Sequence, residues 1–291
     1  MDDLLSAIQT VTLSTYILMT MLAIGMKLSV SEMARSLKRT RLIAAALVVN
    51  IIIVPAAAWA ALRLFDDLPT ASVIAVVLLA STPGYAPIMS DRARGDMAYS
   101  TTLIFVLSIV AIVTIPVLTT ILFSSESTVE VDGWAILTTL VAYQLLPLAL
   151  GMTVRRVREP IAERLAPRVG NAGIILVGIA VLTYAIDVLG AAGNPLIDLG
   201  WQVFAVWVVI TAIALAAGYS AGGPEEATRR TLSLHTAIRN GGLTLLIAAT
   251  SFPDMGAEIG IIALVVVMYP MAMLLTIRWS QQPIAADDVG T

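Results

Sequence analysis

Residues 231–249 read Thr-Leu-Ser-Leu-His-Thr-Ala-Ile-Arg-Asn-Gly-Gly-Leu-Thr-Leu-Leu-Ile-Ala-Ala, an apolar stretch whose centre holds His235, Arg239, Asn240, Gly241 and Gly242. An imidazole exchanges a proton near neutral pH. A guanidinium carries a fixed charge on a planar fork that matches a carboxylate bidentately. In hydrocarbon each unpaired backbone group costs several kcal/mol, so a helix-breaking pair persists only in a protein interior or beside a water-filled cavity. An ionisable side chain at that depth marks a functional site. The competing reading has Arg239 snorkelling to an interface while the glycines let two helices pack closely. Apolar sequence continuing beyond the break favours the first.

A second interruption, Ser81-Thr82-Pro83-Gly84-Tyr85-Ala86-Pro87, follows the apolar run 70–80. That run rises only about 16 Å as helix, half of a ~30 Å hydrocarbon core, so the span must continue through the break into 88–93. Each break exposes a half-helix N-terminus, which attracts anions, and unwound carbonyls, which attract cations. Interrupted helices at corresponding positions of two halves point to an inverted-repeat transporter with its site near the midplane. Channels build irregular backbone into rings from several subunits instead. Thr82, Gly84 and Tyr85 stand where half-helix N–H groups would meet an anion.

The elements that must position these residues follow from composition. Of 291 residues 58% are hydrophobic and 13% charged, with mean hydropathy +0.91; a soluble domain carries about a quarter charged residues. The pattern is that of an all-α polytopic membrane protein, since a barrel would show short alternating segments. There is no cysteine and one histidine, which excludes disulfides, thiolate sites and a multi-histidine metal cage. With no Ser/His/Asp set either, no enzyme, no cofactor and no nucleic-acid partner is expected. The excess of arginine over lysine suits a bacterial genome.

Nine spans are expected, near residues 10–27, 42–62 (with Asn50 and Pro55), 70–93, 97–123, 134–154 (with Gln144 and Pro147), 169–189, 199–221, 231–251 and 259–278. Spans three and eight are the broken ones; their odd offset makes them enter from opposite faces. The acidic stretch 1–9 lacks the basic flank of a cleaved signal peptide. Lys and Arg gather at 27–41, 92–94, 155–168, 229–230 and 278. The alternate loops hold Asp66, Asp67, Glu126, Glu130, Asp132, Asp198, Asp254 and Glu258, with Arg63 their nearby base. The positive-inside rule then places the N-terminus outside and the C-terminus in the cytoplasm of a bacterial inner membrane. The tryptophans at 59, 134, 201, 207 and 279 suit interfacial anchors, Gln144 an interhelical hydrogen bond, Asp187 solvent, and Asp91 a charge cluster with Arg92 and Arg94.

Ser81-Thr82-Pro83-Gly84, Arg92-Ala-Arg-Gly-Asp-Met-Ala98 and Ser100 resemble the first crossover motif of the bile acid:sodium symporter family, and Leu232-Ser-Leu-His-Thr-Ala-Ile-Arg-Asn-Gly-Gly-Leu243 its second. Val54-Pro-Ala-Ala-Ala-Trp59, with Asn50 before it, and Leu146-Pro-Leu-Ala-Leu-Gly151 fit as well. The resemblance covers nearly the whole chain, and nine spans is one of the family's two usual counts. It implies a single membrane domain over 1–291, in which a panel rocks against a core containing both crossovers, about 70–94 and 231–251. It further implies a small organic anion beside the crossover and two sodium ions behind it. Carried over by position, the anion set is Thr82, Gly84, Tyr85, Arg239, Asn240, Gly241 and Tyr269; the coupling-ion set is Asn50, Ser100, His235, Thr236 and Ile238.

The chain departs from the family pattern at that second set. His235 stands where coupled members carry a glutamate and Arg239 where they carry a glutamine. A Ser-Asn ligand pair is absent, and Ile104 replaces a hydroxyl. Sodium wants oxygen ligands, and a guanidinium beside it would repel it by several kcal/mol. One reading makes Arg239 the stand-in for sodium and His235 a proton carrier, the two sharing a helical face at i,i+4. The others make His235 a neutral, hydrogen-bonded core residue and Arg239 a clamp on the carbonyls of the opposite crossover. The expected function is secondary transport of a small carboxylate by alternating access in a lipid bilayer. It would be sodium symporter-like, or proton-coupled or uncoupled if Arg239 replaces sodium; a non-transporting receptor on the same fold is the reading from another class. A complete site within one chain leaves oligomeric state open.

Overall fold

The computed structural model describes residues 2–65, 68–123, 131–190, 199–252 and 255–282. Asp66, Asp67, Glu126, Glu130, Asp198, Asp254 and the loop at 191–198 with Asn194-Pro195 lie outside the described residues, as does the side chain of Asp187. The helices in chain order are α1 (Asp2–Lys27), α2 (Val30–Leu37), α3 (Thr40–Val48), α4 (Val54–Leu62), α5 (Thr70–Ser81), α6 (Pro87–Arg92), α7 (Met97–Phe123), α8 (Gly133–Leu140), α9 (Leu146–Val157), α10 (Glu159–Gly190), α11 (Trp201–Ala221), α12 (Glu226–Ala237), α13 (Gly241–Ser251) and α14 (Ala257–Gln281). Single π-helical turns, Val49–Ile53 and Val141–Leu145, join α3 to α4 and α8 to α9. Among the described residues seven helical stretches are long and apolar enough to cross a membrane, and Thr70–Ser81 and Gly241–Ser251 are shorter apolar helices. The chain is therefore an all-helical, multi-pass membrane protein.

Each π turn lies just before a proline, Pro55 or Pro147. A proline lacks the N–H that would serve the carbonyl one turn back. The backbone answers by widening: Val54 N–H reaches the Val49 carbonyl and Leu146 N–H the Val141 carbonyl, both i→i+5. Insertions of this kind recur at functional sites, and here they carry the buried amides Asn50 and Gln144, 4% and 0% exposed. Gln144 donates to the Ser108 carbonyl at 2.6 Å, the interhelical bond expected of it.

The helices fall into two packed groups. In one, α1 lies along α9 and α10; a Cβ at Gly25 would overlap the Leu148 carbonyl and one at Gly151 the Leu22 carbonyl, so α1 and α9 touch backbone to backbone. In the other, α11 packs along α12, and α14 along α5 and α11, with α4 beside α5 and α11. Ile74, Leu78, Ile210, Leu246 and Leu264 are among its fully buried residues. Trp59, Trp134 and Trp201 are exposed, as membrane anchors should be. Trp207 is instead core, 1% exposed, and Trp279 is buried with its ring stacked on Tyr219 at 5.7 Å; those two are corrections to the anchor reading. In the acidic connection before α8, Asp132 caps the helix, accepting from the N–H groups of Trp134 and Ala135.

Candidate functional site: the paired interruptions

The α5 helix ends at Ser81 because Thr82 turns extended and Pro83 supplies no N–H. The α12 helix ends at Ala237, where Ile238 is extended, with φ −85° and ψ 106°. The two extended pieces pair antiparallel: Tyr85 N–H donates to the Ile238 carbonyl at 2.8 Å, and Asn240 N–H to the Pro83 carbonyl at 3.1 Å. Gly84 lies opposite Arg239 in this bridge. A Cβ on Gly84 would overlap the His235 carbonyl, so glycine is required by close approach of two backbones. Asn240 starts α13, accepting from Leu243 N–H through its side chain at 3.1 Å, and Thr82 and Thr244 share a hydroxyl bond of 3.0 Å. Each interruption thus satisfies backbone groups that the other leaves free, as a buried break demands.

Behind the bridge sits Arg239, 1% exposed. Its Nη1 donates to the Thr82 carbonyl at 3.0 Å and to Asn50 Oδ1 at 2.9 Å; its backbone N–H meets Met268 Sδ at 3.2 Å. Nη2 makes no hydrogen bond, and among the described residues no carboxylate lies within 4.0 Å of the guanidinium. The Thr82 carbonyl belongs to the C-terminal end of α5, the negative pole of a helix dipole. A cation held by a helix-end carbonyl and an amide oxygen is what this geometry amounts to.

The coupling-ion set is brought together around that point. Asn50 Nδ2 donates to the Ala46 carbonyl at 2.9 Å and to Thr236 Oγ1 at 3.4 Å. His235 Nε2 and Ser100 Oγ lie 2.7 Å apart, both fully buried, while His235 Nδ1 has no hydrogen-bond partner among the described residues. Ile238 contributes its carbonyl to the bridge. His235 and Arg239 do not share a helical face: the helix holding His235 stops two residues before Arg239, because the break falls between them.

A cavity of about 470 Å³ opens between α1 and α10 on one side and α6 and α14 on the other. Tyr16, Thr20, Lys27, Tyr85, Asp91 and Tyr269 are among its lining residues, and a pocket of about 140 Å³ adjoins it at Tyr85, Ile238 and Tyr269. Of the anion set, Tyr85 and Tyr269 reach this space. Thr82, Gly84, Arg239, Asn240 and Gly241 line neither volume; the guanidinium lies behind the bridge, pointed at Thr82 and Asn50 rather than toward a ligand.

A family model described as "Sodium Bile acid symporter family" matches residues 15–191. The chain belongs to the sodium bile acid symporter family. No curated protein matches the chain. The symporter-family match includes Asn50, the first interruption and Ser100, and ends before the second interruption. Membership places this chain in a family of membrane transporters. The sodium that the family name implies does not fit the residues present behind the bridge: the oxygen atoms of Thr82 and Asn50 already hold the Arg239 guanidinium, and a hard cation has no use for its neighbouring N–H groups.

Two features of this symporter-family chain escaped the sequence reading. Arg230, read as part of a basic loop, is 2% exposed; it bonds Glu226 at 2.8 Å, the Ala93 carbonyl at 3.1 Å and the Trp279 carbonyl at 3.0 Å. It thereby joins the ends of α6 and α14, and the i,i+4 spacing of Glu226 and Arg230 was its only signal. Burial works against the charge on Glu226, yet hydrogen bonds from Arg230 and Tyr219, with the charges of Arg230 and Arg229, hold its carboxyl below the usual carboxylate range. The second is Tyr16, which lines the cavity and meets Gly242 at the start of α13; a tyrosine within an apolar span gave no hint of this.

Proposed function

We propose that this chain is a secondary transporter that carries a small organic anion across a bacterial inner membrane by alternating access. In this reading about 70–94 and 231–251 each count as one broken span. That gives nine spans, with the N-terminus outside and an inverted repeat relating the two halves. The group α1, α9 and α10, with α8 as the first half of the α9 span, is the panel and the remainder the core. The anion occupies the cavity beside Tyr85 and Tyr269.

The observation that carries the reading is the pairing of the two interruptions around a buried cation beside that cavity. A charge removed from water costs several kcal/mol unless hydrogen bonds offset it. Arg239 is held by two oxygen atoms and has no carboxylate partner among the described residues, so its field acts on the neighbouring space and favours an anion there. Arg239 takes the sodium's place and transport does not require sodium. Its effect on the ligand is through this field and through the bridge it secures, not through direct contact. If coupling follows protons instead, His235 is the residue through which they act.

The test is thermal stabilisation of the purified protein by a panel of mono- and dicarboxylates in sodium, potassium and choline buffers, since anything that binds the folded state raises its apparent stability. Stabilisation independent of the cation, followed by uptake of the same carboxylate into proteoliposomes, is expected. A strict sodium requirement refutes the substitution by Arg239. Binding without uptake makes the chain a receptor instead.

A further inference from the structure

Among the described residues, Lys27, in the last turn of α1, and Asp91, in α6, carry the only charges on the lining of the 470 Å³ cavity. They stand on opposite walls, one on each of the two packed helix groups. Both are exposed. Neither side chain makes an ion pair or a hydrogen bond among the described residues, and they are more than 4.0 Å apart. Asp91 does not join Arg92 or Arg94 in the cluster expected of it. Around the pair the lining is neutral, with Ile24, Ile88, Met97 and Asn171 nearby; Arg92 lines the smaller adjoining pocket, where it makes no ion pair with Asp91.

We propose that Lys27 and Asp91 form an ion pair that latches this end of the crevice shut when the transporter faces the other side of the membrane. The inference rests on the alternating-access reading. When α1 and α10 swing toward α6, the two charges are what the closing walls bring together. Because neither has a partner among the described residues, no bond described there has to break first. A long, flexible lysine on the terminal turn suits a contact made in only one state.

Because the chain has no cysteine, Ile24→Cys with Ile88→Cys introduces the only two thiols, one on each wall. Their rate of oxidative cross-linking in membranes, with no substrate present, reports how often the crevice closes. Lys27→Gln and Asp91→Asn, each placed in this background, should slow cross-linking about 1.5- to 5-fold, the range an exposed ion pair supplies. The charge swap Lys27→Asp with Asp91→Lys should restore the rate. A rate that ignores both single changes, or a swap that fails to restore it, refutes the latch. Absence of any cross-link in the otherwise unaltered chain refutes alternating access itself, so the two failures are told apart.

Discussion

The sharpest consequence of the paired interruptions concerns Gly84. Replacing it with alanine sets a Cβ onto the His235 carbonyl, whose carbon is only 2.6 Å away. The obstacle is backbone and cannot rotate aside. The two extended segments must part, which removes the Tyr85–Ile238 and Asn240–Pro83 hydrogen bonds and stretches the Arg239 contact to Thr82. Each group left unsatisfied in the interior costs about 1–3 kcal/mol, giving roughly 3–6 kcal/mol once partial relaxation is allowed. At about 2–4 °C per kcal/mol, the apparent melting temperature in detergent should fall by at least about 6 °C, with loss of any cation-independent ligand stabilisation. Gly178→Ala is the control: nothing lies within 4 Å of its Cβ, and alanine in an α10 helix should be neutral or stabilising by up to about 1 kcal/mol. If Gly84→Ala melts within about 2 °C of the parent, the close backbone crossing is not what holds the site together.

Arg239→Gln frees the Thr82 carbonyl and Asn50 Oδ1 for a metal ion, so the variant should acquire a sodium-specific rise in melting temperature that the parent lacks; total loss of folded protein would assign Arg239 to clamping alone. Gly151→Ala forces apart α1 and α9, where Cβ would meet the Leu22 carbonyl, and should lower stability by about 2–4 kcal/mol in the same assay. For Glu226, the depressed carboxyl in the folded state means a stabilisation present above the ordinary carboxylate range and lost as pH falls through the lower folded value. Acid melting curves of Glu226→Gln should lack that component, and curves coinciding with the parent's would disprove the pairing with Arg230.

What could be read from the sequence was set by long-range hydropathy and by proline. Long apolar runs gave the spans, and Pro83-Gly84 and Gly241-Gly242 marked where helix could not continue. The π turns could not be read, because Pro55 and Pro147 predict a freed carbonyl and not the way the backbone recovers it. Arg239 was legible as a cation at depth, and the clamp reading gave its direction, toward the Thr82 carbonyl of the opposite interruption; the shared face with His235 was misread, because i,i+4 spacing assumed an unbroken helix while Ile238 is extended. Arg230 looked like a surface residue because two of its partners are main-chain carbonyls at the ends of distant helices, and Trp279 because its ring stacks on Tyr219, far away in the chain; no local pattern encodes either contact. The cavity, made by walls far apart in the chain, was invisible.

The bridge between Gly84 and Arg239 joins a part of the chain that matches the family model to a part that lies beyond the match. The two parts are therefore not interchangeable modules. A chimera taking residues 1–191 from this protein and the remainder from a family member with glutamine at the position of Arg239 would bring together segments that never adapted to each other. The Thr82 carbonyl and Asn50 would then have no resident cation unless the ion in the medium supplied one. Grafting in the reverse direction would install a permanent charge where an exchangeable one belongs. Whichever ion such hybrids require, the answer will be carried by one side chain on the later segment and read by oxygen atoms on the earlier one.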